Sequence, residues 1–110
     1  MKRGEIWTAA GGEGYAGKPR PVVIVQDDRF GATGSVTICG LTTNETEAPL
    51  FRVPVEPNAD NGLKQASRLM VDKIVTIPRT RLGQRVGRLD PEDVTRLNRA
   101  IMIFLGLSAA

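Results

Sequence analysis

The stretch "RPVVIVQ" (residues 20–26) constrains the fold more than any other. Four apolar β-branched residues, Val22 to Val25, follow one another, and such a run cannot keep alternate side chains in water. It has to be a strand covered on both faces, with other strands beside it. Its entrance is as restricted as its interior. Pro19 and Pro21 push Lys18 and Arg20 out of the α region towards β or polyproline II backbone. The backbone beneath Arg20 is thereby preorganised, and a guanidinium mounted this way can donate two hydrogen bonds to a phosphate. The competing use is a charge guarding a strand end.

The rest of the chain supplies the neighbours. "GEIWTAA" (4–10) reads as a first strand that breaks at Gly11 and Gly12, and "SVTICGLT" (35–42) as a third, half buried, with Val36, Ile38 and Gly40 on one face. In "LFRVPVE" (50–56) Phe51, Val53 and Val55 alternate with polar residues, and Pro54 demotes the strand to a sheet edge. "SRLMVDKIVTIP" (67–78) is long enough to bend or to serve two pairings, and "GQRVGRL" (83–89) is a short last strand.

The period then changes. Asp90 suits a helix N-cap, Pro91 the first helical position, and Glu92 and Asp93 the positive end of the helix dipole. Val94, Leu97, Ile101, Phe104 and Leu105 recur at helical spacing, and Gly106 is placed to end the helix. Met102 and Ile103 fall off that stripe, so the last turns need a second surface, most simply a dimer partner. Many short strands followed by one helix predict an α+β domain built on a small, strongly bent antiparallel sheet or barrel. At 110 residues the chain is expected to form one domain, 1–110.

Composition excludes several classes. With 41% hydrophobic and 25% charged residues, the chain matches neither disordered, collagenous nor membrane proteins. "MKRGEIW" has no apolar segment behind its basic residues, so no signal peptide is expected and the cytoplasm is the default location. The single cysteine, Cys39, lies in an apolar run and is expected to be a buried thiol; alone it can form neither a disulfide nor a cysteine-built metal cage. There is no histidine at all, which removes Ser-His-Asp and Cys-His machinery, His-ligated zinc and any histidine acid or base. The net charge of +3 is carried by basic residues spread over several segments that folding could gather on one face, as a polyanion binder requires. A solubilising surface would explain the charge equally well.

The motifs sharpen this. "GEGYAG" (12–17) matches a dinucleotide-binding glycine pattern, but it runs into Lys-Pro-Arg-Pro and a strand instead of the helix such a site needs. It reads as a flap able to close over an extended ligand. Thr42 and Thr43 leave the third strand where a hydroxyl could meet a cleft beside Arg20, and Gly40, on the face of Thr42, leaves room for a close ligand. Asp27 and Asp28 point to opposite sides of a strand and suit a turn better than a shared metal ion. On the fifth strand Ser67 and Lys73 share one parity and Arg68 and Asp72 the other; either pair could line a groove.

Taken together, "KRGEIW" (2–7), the glycine-containing loop, "RPVVIVQDD" (20–28), "GLTTN" (40–44), "SRLMVDKIVTI" (67–77), "RLGQRVGRL" (81–89) and the terminal helix resemble the MazF/PemK family of bacterial toxins. The resemblance covers nearly the whole chain. It implies a small SH3-like antiparallel β-barrel with a C-terminal helix (CcdB/MazF-like), working as a homodimer. It implies a sequence-selective endoribonuclease that cleaves single-stranded RNA without metal or other cofactor, leaving a 2′,3′-cyclic phosphate and a 5′-hydroxyl, and that is neutralised by a MazE-like antitoxin. The family's catalytic arginine falls on Arg20 and its catalytic threonine on Thr42, with Thr43 the alternative. Tyr15, Lys18, Thr43, Ser67, Asp72 and Lys73 are the expected RNA-binding residues, Tyr15 by stacking on a base. The loop "GGEGYAGKPR" is longer than the family pattern, and no residue is assigned as general base. Two rivals stand beside this reading: a CcdB-like poison of DNA gyrase and a noncatalytic RNA-binding barrel. The gyrase poisons resemble one another in a tryptophan-containing tail, whereas this chain ends "GLSAA".

Overall fold

The strands and the helix follow one another as the periodicity predicts. In a computed structural model, which describes residues 1–10 and 18–108, β1 (Glu5–Ala9), β2 (Arg20–Ile24), β3 (Ser35–Thr42), β4 (Arg52–Val55), β5 (Ser67–Pro78) and β6 (Leu82–Arg88) precede α1 (Pro91–Phe104). The strands form one sheet in the order β4-β5-β3-β2-β1-β6, with every neighbouring pair antiparallel.

β2 lies between β1 and β3 and is covered on both faces, with Val22, Val23 and Ile24 buried. Val23 joins the larger core cluster with Ile6, Leu69 and Leu97, while Val22 and Ile24 join a second cluster with Ala9, Val36 and Ile38. The expected half burial of β3 needs correction. Cys39 and Leu41 enter the first cluster while Val36 and Ile38 enter the second, so the strand's centre is covered on both sides. Only Thr37 breaks the pattern, and its hydroxyl pairs with that of Thr76 across the sheet at 2.7 Å. Cys39 is fully buried, and burial pushes its thiol up to about 12.

β4 is an edge strand, as Pro54 demands. β5 does serve two pairings: Ser67 to Met70 pair with β4, Arg68 and Leu69 also with β3, and Ile74 to Pro78 with β3 after an irregularity opposite Cys39 and Leu41.

The sheet's two outer strands, β4 and β6, are not hydrogen-bonded to each other. A loop bridges the gap instead. The Arg88 N–H donates to the Asp60 carbonyl at 2.9 Å, and a Cβ on Gly87 would stand 2.4 Å from that same oxygen. Only glycine lets the two backbones approach so closely. The loop is braced by Asn61, which is completely buried. Its Oδ1 accepts from the N–H groups of Asn58 and Leu63 at 3.0 Å each, and its Nδ2 donates to the Glu56 carbonyl at 2.9 Å. The expected barrel is therefore an open, curled sheet with an asparagine-braced loop along the side where a strand pair would close it.

The "RGEIW" motif is structural. Gly4 takes φ +90°, and the Glu5 carboxylate gathers the Lys2 N–H (2.8 Å), Trp7 Nε1 (3.1 Å) and the Arg85 guanidinium (3.1 Å). Burial would raise the pKa of Glu5, but these donors together hold it below the usual carboxylate range.

The helix starts as predicted: Asp90 Oδ1 accepts from the Asp93 N–H at 2.9 Å, with Pro91 in the first turn. Gly106 follows its end at φ +75°. Leu97 and Ala100 are buried, and the helix packs on β4 and β5. At the helix's C-terminal end Phe104 and Leu105 are 46% and 61% exposed, the apolar surface for which a second surface is expected. The last turn of the helix meets Phe51, whose ring lies 5.8 Å from that of Phe104, and Ile103 lines a pocket with Pro49 and Leu50. Among the described residues, no helix is long and apolar enough to cross a membrane.

Candidate nucleic-acid interface

Strand register assembles the site. Val22 of β2 pairs with Gly40 of β3, the last pair in that register, and Arg20 and Thr42 each lie two residues beyond it, on the face that Val22 and Gly40 share. Thr42 is paired in turn with Arg68 of β5, and Arg20 with Ala9 of β1. Directly opposed residues project to the same face. Arg20, Thr42 and Arg68 thus form one row across three adjacent strands, at the end of the sheet. Arg20 is exposed, and among the described residues its guanidinium has no partner. Thr42 is half-buried, and its Oγ1 accepts the Asn44 N–H at 3.1 Å.

The remaining expected residues divide between positions. Thr43 and Ser67 lie on the opposite face, where they line a cavity of about 230 Å³ together with Thr8, Pro21, Lys64 and Gln65. Ser67 is buried, and its hydroxyl donates to the Gln65 carbonyl at 3.0 Å. The structure therefore groups Thr42 with Arg20 and Thr43 with Ser67. Lys18 is exposed two residues before Arg20, and Lys73 is exposed beside the β5 irregularity. Tyr15 and the flap lie outside the described residues.

Asp72 is engaged rather than open. Both its oxygens are held by the Arg52 guanidinium, at 2.7 and 3.1 Å, with the two side chains only 22% and 12% exposed. The hydrogen bonds from Arg52 hold its carboxyl below the usual carboxylate range despite burial. A depressed folded-state pKa contributes stability above the unfolded value, near 4, and that stability is lost as pH falls through the folded value. At pH 7, Asp72→Asn is expected to lower the unfolding free energy by roughly 1.5–3 kcal/mol. Urea titrations should show that difference shrinking below about pH 4; a gap that stays constant down to pH 2 would discredit the assignment.

Two other expectations change. The space over Gly40 is not open: the Met70 Cε lies 2.8 Å from where a Cβ would stand, so the thioether fills the room reserved for a ligand. Asp27 and Asp28 do form a turn. Asp27 accepts from the Arg29 N–H at 2.8 Å and its guanidinium at 3.0 Å, while Asp28 accepts the Arg3 N–H at 2.7 Å. Among the described residues, no three His, Cys, Asp or Glu side chains gather as a possible metal-ligand set.

Sequence reasoning underrated Arg68 and missed Gln65 and Asn61. The parity of β5 hinted at Arg68, but its place beside Thr42 follows from a β3–β5 register that cannot be read from either strand alone.

A family model described as "PemK-like, MazF-like toxin of type II toxin-antitoxin system" matches residues 2–105. The chain belongs to this family. Among MazF-like proteins, "Probable endoribonuclease MazF" of Mycolicibacterium smegmatis is 53% identical over 98% of this chain and 99% of its own length. "Endoribonuclease MazF9" of Mycobacterium tuberculosis is 30% identical over 97% of this chain and 98% of its own. A solved structure titled "Endoribonuclease in complex with its cognate antitoxin from Mycobacterial species" superposes with a TM-score of 0.81 at 27% identity, covering 100% of this chain and 99% of that one. The six-stranded sheet with one C-terminal helix is the MazF toxin fold.

Proposed function

We propose that this MazF-like chain is an endoribonuclease toxin that cleaves single-stranded RNA at a preferred short sequence, by attack of a ribose 2′-hydroxyl on the adjacent phosphorus. The observation that carries this reading is the row at the sheet's end, where Arg20, exposed and without a partner among the described residues, shares a face with Thr42. Attack forms the bond from 2′-oxygen to phosphorus and breaks the one to the 5′-oxygen; the 2′-hydroxyl gives up its proton to solvent and the departing 5′-oxygen takes one up, leaving a 2′,3′-cyclic phosphate and a 5′-hydroxyl. Negative charge grows on the phosphoryl oxygens between those events, and Arg20 meets it with a forked pair of donors. Thr42 adds a third donor. Because its oxygen already accepts the Asn44 N–H, its own O–H proton is left to donate to a second phosphoryl oxygen.

The proposed chemistry needs no metal, because guanidinium and hydroxyl donors meet the charge that a metal ion would otherwise neutralise. The relatives named endoribonuclease support an enzyme over a passive binder. The neighbouring toxin–antitoxin complex supports a cognate antitoxin as partner, and an acidic, partly disordered segment would be drawn to the face that attracts RNA. A homodimer would cover the exposed apolar end of α1, where Met102, Phe104, Leu105 and Leu107 lie. The cytoplasm, where messenger RNA is translated, is the location this activity requires.

The test is to incubate the purified chain with a long single-stranded RNA in EDTA and map the ends. Cuts at a recurring short motif, with cyclic phosphate on the 5′ fragment, are expected. Cleavage that EDTA abolishes would overturn the metal-free chemistry. Intact RNA together with inhibited gyrase supercoiling would overturn the ribonuclease reading itself.

A further inference from the structure

We propose that Arg68 is a second phosphate-binding residue of the RNA face, and that Glu47 occupies its guanidinium until RNA displaces it. This rests on the ribonuclease reading and extends it to a residue with no assigned role.

Arg68 is the register partner of Thr42, on the same face and one strand further from Arg20. Two strand spacings, roughly 10 Å, separate the backbones of the two arginines. A strand of RNA whose reacting phosphate sits at Arg20 and Thr42 therefore carries a neighbouring phosphate towards Arg68. The guanidinium is pre-aimed for it. It donates to the Thr46 carbonyl, the Thr46 hydroxyl donates to Asn44 Oδ1 at 2.7 Å, and the Asn44 N–H donates to Thr42 at 3.1 Å. One line of hydrogen bonds thus runs from Thr42 through the loop to Arg68, holding both residues of the row.

The anion that Arg68 meets at present is the Glu47 carboxylate, 3.3 Å away. The Glu47 side chain is 85% exposed while that of Arg68 is 19% exposed. An ion pair with one partner in water and a single long contact is weak and easily exchanged. A phosphate, with more acceptor oxygens and a guanidinium already held in place, is the stronger partner. Glu47 then acts as a placeholder that competes with RNA at this position.

The decisive measurement is the affinity for a fluorescent single-stranded RNA, as a function of salt, in the full chain carrying Arg20→Ala so that the RNA stays intact. Adding Arg68→Gln should weaken binding and reduce the slope of log affinity against log salt by about 0.7, the loss of one phosphate contact on a single strand. Adding Glu47→Gln should instead tighten binding by about threefold, since one like charge beside the phosphate is removed. In the Arg68→Gln background that gain should disappear.

A purely structural Arg68, fastening the loop, predicts no gain from Glu47→Gln, and that result overturns the proposal. An unchanged salt slope in a folded Arg68→Gln chain overturns it as well. Should Arg68→Gln fail to fold, Glu47→Gln decides alone: tighter binding supports the placeholder, and unchanged or weaker binding refutes it. These readouts are of binding, so failure here is distinguishable from failure of cleavage by the unmutated chain in EDTA. A chain that binds no RNA overturns both readings.

Discussion

Arg20→Ala is expected to lower RNA cleavage by about 10²–10³-fold, the loss typical of one preorganised donor at a developing oxyanion. The fold should survive unchanged. Arg20 is exposed at the first position of β2, and among the described residues its side chain makes no contact whose loss would matter for stability. Thermal melting of the variant should therefore overlay that of the parent, while end mapping on a long RNA shows the cuts almost gone. Arg20→Lys should recover only part of the activity, because an ammonium keeps the charge but lacks the planar fork. A folded Arg20→Ala chain that cleaves within about threefold of the parent would sink the assignment, since an oxyanion donor is worth far more than that.

Asn61→Ala is expected to lower stability by roughly 3 kcal/mol. The truncation removes a fully buried amide and strands the part-buried Asn58 and Leu63 N–H groups and Glu56 carbonyl, and unsatisfied groups of this kind cost up to about 1–3 kcal/mol apiece. For a domain of this size that corresponds to a fall in melting temperature of more than about 10 °C. Asn61→Asp should restore less than its shape implies, since a carboxylate cannot donate to Glu56. A melting temperature within about 2 °C of the parent would show that something other than Asn61 braces the loop.

The two residues differ in how visible they are in the chain itself. Arg20 could be found by reading, because the prolines on either side act through local backbone sterics, which need no tertiary context. Asn61 lies in "NADNG", where an asparagine normally signals nothing more than a turn. Its importance comes from a loop lying across Gly87, and no local rule relates positions so far apart. The same contrast runs through the helix. Its N-terminus was legible down to the cap, because Asp90 and Pro91 act on the turn they belong to. At its C-terminal end the repeat marked an apolar face but not how far the chain's own core extends beneath it, and Phe104 and Leu105 lie beyond that core.

β3 was misjudged for a related reason. Alternation was read as a wet face opposite a dry one, but one face packs into a cluster with helix residues and the other into a cluster of side chains from β1, β2, β5 and β6, so both are buried. The site divides the same way. Thr42 and Thr43 could not be separated by reading, since both leave the third strand within one residue. Register places them on opposite faces, Thr42 in the row with Arg20 and Thr43 at the cavity beside Ser67.

By itself, then, the sequence determined what local sterics and side-chain period control: six strands, one capped helix, an edge at Pro54 and an arginine held ready at a strand entrance. It also limited the chemistry, because a chain without histidine has no imidazole acid, base or metal ligand. Only the tertiary structure decided which threonine shares a face with Arg20, that Arg52 already holds Asp72, that Met70 fills the space over Gly40, and that Arg68 completes the row. Those are pairings between distant segments, and strand register fixes them through hydrogen bonds that any sequence can make.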